Sequence, residues 1–202
     1  MNTKTKKILI IGAAHSGTSA LASYFGAHPD VAMLCEDNGD KITSIIGKKY
    51  AGNKLLVYRQ IRYDKRGHRF GYAINKIVNL FCAGINKFEL FPMSKLSISD
   101  YIQMGAIIIV IKRGRENNIE SIIQRQGFSR KNAEKMLDNG EAELLKIKSH
   151  YYVVNYDDLK NSPRTTLSSL CEKLGIEFNP EMIINGLEYN WVYYDYKETL
   201  DI

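Results

Sequence analysis

The most constraining feature of the chain lies near its N-terminus. Lys7-Ile8-Leu9-Ile10-Ile11 is a short, unbroken apolar run that stops at Gly12. A run this short, rich in Ile and closed by glycine, reads as a strand buried on both faces, as in parallel sheets covered by helices. Gly12-Ala13-Ala14-His15-Ser16-Gly17-Thr18-Ser19 follows, and residues 19–26 read as a helix ended by His28-Pro29-Asp30. The glycines have the spacing of the phosphate-binding loop G-x-x-x-x-G-K-[ST], with Thr18 in the lysine position. Small residues there let backbone N–H groups converge on an anion, and the helix N-terminus adds its positive dipole end. Ser16, Thr18 and Ser19 offer hydroxyl donors. The competing reading is a tight turn whose glycines serve packing alone.

The rest of the chain alternates in the same way. Residues 31–35 read as a second strand, 55–58 as a third, 106–111 as the strongest, and 151–156 as another. Residues 116–126 carry Ile119, Ile122 and Ile123 on one helical face, and 130–148 form a long charged helix. Ser162-Pro163 opens a further helix that runs to Leu174 and stops at Gly175. Residues 39–52 and 63–71 read as loops. Residues 70–88 read as a buried or amphipathic helix. Asn75, Lys76, Asn79, Asn86 and Lys87 interrupt that stretch, so it lacks the ~20 apolar residues of a membrane span. Repeated strand–helix alternation implies an α/β fold: a P-loop-like three-layer sandwich with a mostly parallel central sheet flanked by helices. A chain of 202 residues is expected to form a single domain over 1–202.

Charge narrows the partners. Lysine and arginine exceed aspartate and glutamate by 28 − 22 = 6, which favours anionic partners without choosing among nucleotide, nucleic acid and anionic glycan. No nucleic-acid recognition module is recognisable, so no nucleic-acid partner is expected. Arg59, Arg62, Lys65, Arg66 and Arg69 form a basic run suited to an anionic acceptor or a peripheral membrane contact, or simply a solvated face. A hydrophobic share of 45% with 25% charged residues excludes a largely disordered or fibrous chain. Cys35, Cys82 and Cys171 are odd in number and widely spaced, which fits a reducing, cytoplasmic setting. The apolar run at 8–11 is too short for a signal peptide. His15, His28, His68 and His150 show no close pairing with the cysteines, so no metal is expected.

The missing lysine matters. Hydrolases with this loop use it on the β and γ phosphates, with Mg²⁺ held by a strand-end carboxylate. Here the strongest strand runs into Lys112-Arg113 instead. Glu36-Asp37 and Asp157-Asp158 are the alternative carboxylates. The simplest reading is a phosphate loop that does not handle a Mg²⁺-nucleoside triphosphate. Arg113 and Ser121, eight residues apart, sit around a strand–loop–helix turn, a geometry that can clamp one phosphate.

Together these residues resemble a known family. The segment from Gly12 to Ser19, followed by His28-Pro29-Asp30-Val31, resembles the 5′-phosphosulfate loop of sulfotransferases. Those enzymes use 3′-phosphoadenosine 5′-phosphosulfate (PAPS) and release adenosine 3′,5′-bisphosphate (PAP). Ile108-Ile109-Val110-Ile111-Lys112-Arg113 with Ser121 resembles the family's 3′-phosphate site. Val153-Val154-Asn155-Tyr156-Asp157-Asp158-Leu159, then Ser162-Pro163, resembles a stretch whose tyrosine lies near the adenosine. The likeness covers residues 7–36, 105–128 and 150–178. Residues 37–104 match little, and acceptor specificity is expected there.

The resemblance implies donor contacts from Ala14, His15, Ser16, Gly17, Thr18, Ser19, Arg113, Ser121 and Tyr156. It implies Glu36 as catalytic base, with Asp37 as fallback; the competing reading of Glu36 is a capping or solvated acid. His15 would assist the leaving group, although the family usually has Lys or Arg there, and imidazole is cationic only below about pH 6.5. Lys54 would touch the sulfuryl group; a solvated lysine is the competing reading. Arg115 replaces the family's proline, as a second charge near the 3′-phosphate or as a solvated side chain. The function implied is transfer of a sulfuryl group from PAPS to a hydroxyl of a small-molecule or glycan acceptor, plausibly a carbohydrate or glycolipid. The alternatives are a kinase-like phosphotransferase using Mg²⁺-ATP, and an inactive nucleotide-binding domain of the same fold.

Overall fold

The computed structural model describes residues 5–37, 39, 41–65, 68, 73, 74, 77, 94–147 and 151–186. The element order is β1 (Lys6–Gly12), α1 (Thr18–Gly26), β2 (Val31–Cys35), β3 (Tyr50–Leu56), α2 (Ile98–Gln103), β4 (Ile107–Lys112), α3 (Arg115–Gln126), α4 (Arg130–Leu145), β5 (Tyr152–Asn155), α5 (Tyr156–Asn161), α6 (Pro163–Leu174) and α7 (Glu181–Ile184). The strands form one five-stranded sheet in the order β2-β3-β1-β4-β5. Every described pairing is parallel, from Lys6 opposite Tyr50 to Lys112 opposite Asn155.

Strand periodicity sorts the core into two layers. Ile8 and Ile10 of β1, with Ile109 and Ile111 of β4, face Leu21 and Phe25 of α1 and Leu167 and Leu170 of α6. Leu9, Ile11, Ile108 and Val110 face the opposite way, toward Ile98 and Tyr101 of α2 and Leu144 of α4. Helices therefore cover both faces of the sheet, and the three-layer architecture stands. A smaller cluster of Ile119, Ile122, Ala133 and Leu137 joins α3 to α4 beside the glycine loop.

Two expectations need correction. The third strand is Tyr50–Leu56, not 55–58, so residues 50–52 are strand rather than loop. Its polar residues are buried: Asn53 is fully enclosed and Lys54 is only 3% exposed. Val57 makes one isolated bridge to Ile61, and Tyr58 takes a positive φ that ends the strand. The last strand stops at Asn155, whose side chain accepts from the Asp157 N–H and caps α5, so Tyr156 opens a helix. Pro163 begins α6 as expected, and Gly175 ends it in the left-handed region. Residues 189–202, Cys82, His150, Arg66 and Arg69 lie outside the described residues, as does most of 70–88. Among the described residues, no helix is long and apolar enough to cross a membrane.

Candidate functional site

The glycine loop joins β1 to α1 at the carboxyl edge of the sheet, where parallel sheets place ligands. Gly12 is required by space: a Cβ there would meet the Ile111 carbonyl at 2.7 Å. Gly17 has a φ of 102°, and a Cβ on it would run into the Tyr156 ring. No side chain caps α1. Its first hydrogen bond runs from the Leu21 N–H to the Gly17 carbonyl at 3.1 Å. The N–H groups of Gly17, Thr18, Ser19 and Ala20 find no acceptor among the described residues. Four free donors at a helix start make an anion cradle.

The loop is held from α3. The Asn118 amide, its NH₂ turned to the two carbonyls it faces, donates to Ala14 O at 2.9 Å and His15 O at 3.1 Å. Arg113 Nη1 also reaches His15 O, at 3.4 Å. The Arg113 guanidinium lies 4.9 Å from the centroid of the Tyr156 ring. Its Nε is buried with no partner among the described residues, and so is Ser23 Oγ. Buried orphans of this kind call for a ligand or water.

One cleft of about 380 Å³ gathers most of the predicted residues: Ala14, His15, Gly17, Thr18, Ser19, Glu36, Lys54, Arg113, Ser121 and Tyr156. Ser16 is the exception. Its Oγ donates to Ala13 O at 2.8 Å, and it lines a separate cavity of about 240 Å³ behind the loop.

Glu36 directly follows β2 with a φ of 59°, and its N–H donates to the Lys54 carbonyl at 2.9 Å. Lys54 Nζ donates to Glu36 Oε1 at 2.6 Å. Lys54 is thus a buried partner of the carboxylate and not a solvated side chain. Burial alone would raise the Glu36 pKa, but the Lys54 ammonium, the Gln60 amide and the Arg59 charge together hold it below the ordinary carboxylate value. Glu36 is therefore ionised at neutral pH. Asp37 is occupied elsewhere: its Oδ2 accepts from the N–H groups of Gly39, Lys41 and Ile42 at 3.0 to 3.3 Å.

His15 also has a positive φ, of 61°. Its Nε2 lies 2.9 Å from the Gln126 amide nitrogen. Burial lowers its pKa, and the charges of Arg125, Arg113, Arg59 and Lys54 lower it further. The imidazole is neutral at pH 7, accepting from Gln126 at Nε2. Backbone strain at two non-glycine residues of one cleft is a common mark of functional sites.

The remaining candidates are spoken for. Arg115 pairs with Asp138 at 2.7 Å and Glu141 at 3.4 Å on α4, away from the cleft. His28 Nε2 donates to Glu177 O at 2.8 Å, and its Nδ1 accepts from the Asp30 N–H. Lys65 of the basic run pairs with Asp100 at 2.9 Å, and Arg62 stacks on Tyr58. Among the described residues, no group of three His, Cys, Asp or Glu is arranged to hold a metal.

Sequence reasoning missed Asn53, Asn118, Arg125 and Gln126. The signal for two of them was present. Counting back three and forward four residues from Ser121 on a helix gives Asn118 and Arg125 on the same face.

By sequence, the chain matches no protein-family model and no curated protein. Its fold does match solved structures. A mouse sulfotransferase, SULT7A1, complexed with PAP, aligns with a TM-score of 0.57 at 15% identity, over 94% of this chain and 65% of that one. A sulfotransferase domain from the curacin biosynthetic pathway aligns with a TM-score of 0.55 at 12% identity, over 89% of this chain and 77% of that one. The chain thus spans about 65% of the length of the mouse enzyme. The parallel order β2-β3-β1-β4-β5, the glycine loop after β1 and these alignments together give the chain the sulfotransferase fold.

Proposed function

We propose that the chain is a PAPS-dependent sulfotransferase acting on a hydroxyl. The observation that carries this reading is the cleft itself. Its lining includes the uncapped start of α1, both Arg113 and Ser121, and the Glu36–Lys54 ion pair. A bisphosphate donor needs two anion sites, and the loop and the Arg113–Ser121 pair supply two. Tyr156, stacked on Arg113, would flank the adenosine between them.

The donor supplies the sulfuryl group, and the chain's residues do the rest. In the transfer a bond forms between the acceptor oxygen and sulfur while the bond from sulfur to the phosphate oxygen breaks. The N–H groups of Gly17 to Ala20 meet the charge that gathers on the leaving phosphate. Glu36 takes the proton from the acceptor hydroxyl. Lys54 orients that carboxylate and lies within reach of the same space. His15, neutral, acts as a hydrogen-bonding group and as the loop's tie to Gln126.

A carbohydrate or glycolipid hydroxyl is the acceptor this reading favours. Support comes from cationic residues at the cleft and from Arg59 beside it, whose charge is felt at both His15 and Glu36. Calorimetric titration with PAP, beside Mg²⁺-ADP and Mg²⁺-ATP, tests the donor. Metal-independent binding of PAP that weakens about 100-fold in Arg113→Ala supports it. Preference for Mg²⁺-ATP would move a phosphotransferase to first place. Binding of PAP without sulfate transfer from PAPS to any tested alcohol would make the chain an inactive relative.

A further inference from the structure

The glycine loop has no positive side chain of its own. Between Gly12 and Ser19 only His15 ionises near neutral pH, and burial, then the surrounding cations, hold its pKa below the ordinary value. An anion at the loop therefore needs its countercharge from outside. Four cations bear on His15: Arg125, Arg113, Arg59 and Lys54. Lys54 is bonded to Glu36, and Arg113 is the cation assigned above to the 3′-phosphate. Arg59 does not line the cleft.

Arg125 differs from all three. It lines the cleft from the last turn of α3, four residues beyond Ser121. It is exposed, and no carboxylate pairs with it among the described residues. Its charge bears on His15 more strongly than that of the other three. Its neighbour Gln126 makes the contact to His15, so the end of α3 sits directly on the loop.

We propose that Arg125 supplies the positive charge for the 5′ anion of the donor, in place of the lysine that a glycine loop of this spacing ordinarily carries. The inference rests on the donor-site reading above. It divides the labour of α3: Ser121 with Arg113 for the 3′-phosphate, Arg125 one turn on for the 5′ end.

Two half-ligands separate those roles. Titrations of wild type, Arg125→Ala, Arg125→Lys and Arg113→Ala would use PAP, adenosine 5′-monophosphate and adenosine 3′-monophosphate. Arg125→Ala is expected to weaken PAP and the 5′-monophosphate about 10- to 100-fold and to leave the 3′-monophosphate unchanged. Arg125→Lys keeps most of the affinity, because the charge remains. Arg113→Ala shows the opposite preference. Unchanged PAP affinity in Arg125→Ala, with wild type binding normally, overturns the inference alone. So does an equal loss of both monophosphates. Failure of wild type to bind PAP overturns the donor-site reading itself. Thermal melting of the Arg125 variants shows that the fold is intact, as expected for an exposed side chain, and Arg113→Ala is melted beside them.

Discussion

β1 and β3 lie side by side and pair over seven residues, yet they are built from opposite materials. β1 is Lys-Lys-Ile-Leu-Ile-Ile-Gly, apolar wherever it is buried. β3 is Tyr-Ala-Gly-Asn-Lys-Leu-Leu and buries an amide and an ammonium. Buried polar groups are costly unless bonded, and both of these are. Asn53 Nδ2 donates to the Asp37 carbonyl at 2.8 Å, and its Oδ1 accepts from the Asp37 N–H at 3.1 Å. It also bonds the Tyr101 hydroxyl at 3.1 Å. Lys54 holds Glu36. One strand supplies the core under the loop, and its neighbour positions the carboxylate. The difference shows where a fold gives up apolar burial for the sake of a site.

The largest expected effect falls on the chemistry. Glu36→Gln keeps the shape and removes the proposed base, so kcat for sulfate transfer should fall about 10²- to 10⁴-fold while PAP binding stays within a few-fold. Retained turnover in that variant would assign the proton to another group.

Next comes the contrast between the strands. Ile10→Ala, in the fully buried β1 position, should cost about 2–5 kcal/mol in chemical denaturation. Asn53→Ala should cost less, about 1–3 kcal/mol from the broken bonds, but should lower kcat more than Ile10→Ala does. If the two variants affect turnover equally, β3 has no special role in placing Glu36.

β1 and β4 were legible as unbroken apolar runs, and α1, α3 and α6 as helical patterns bounded by Gly or Pro. That Thr18, Ser19, Ser121 and Arg113 share one cleft was legible because the first three lie on those elements and Arg113 directly follows β4. β3 was misplaced because the polar Asn53 and Lys54 interrupt its apolar pattern; their partners, Asp37 and Glu36, lie more than fifteen residues away in sequence. The further lowering of the His15 pKa was illegible, since it depends on burial and on cations brought in from elsewhere in the chain.

The smallest effect is in pH. His15 and His68 both have pKa values lowered from 6.5, in each case chiefly by burial. Between 6.5 and those lower values the unfolded chain binds more protons than the folded one. Stability is therefore full above pH 6.5 and falls as the pH drops through and below it. A denaturation series from pH 7.5 to 5.5 checks the sign, and His15→Gln should flatten part of the slope. A rise in stability on acidification that His15→Gln abolishes would mean that His15 gains a proton in the fold, which would break the account of a loop without its own charge.

The central claim is that one cleft holds both phosphates of the donor, and a crystal structure of the chain with PAP tests it most directly. The account predicts the 5′-phosphate on the N–H groups of Gly17 to Ala20 and the 3′-phosphate between Arg113 and Ser121, with Glu36 facing the open side. A bisphosphate bound with its 3′-phosphate away from Arg113, or outside this cleft, would contradict it.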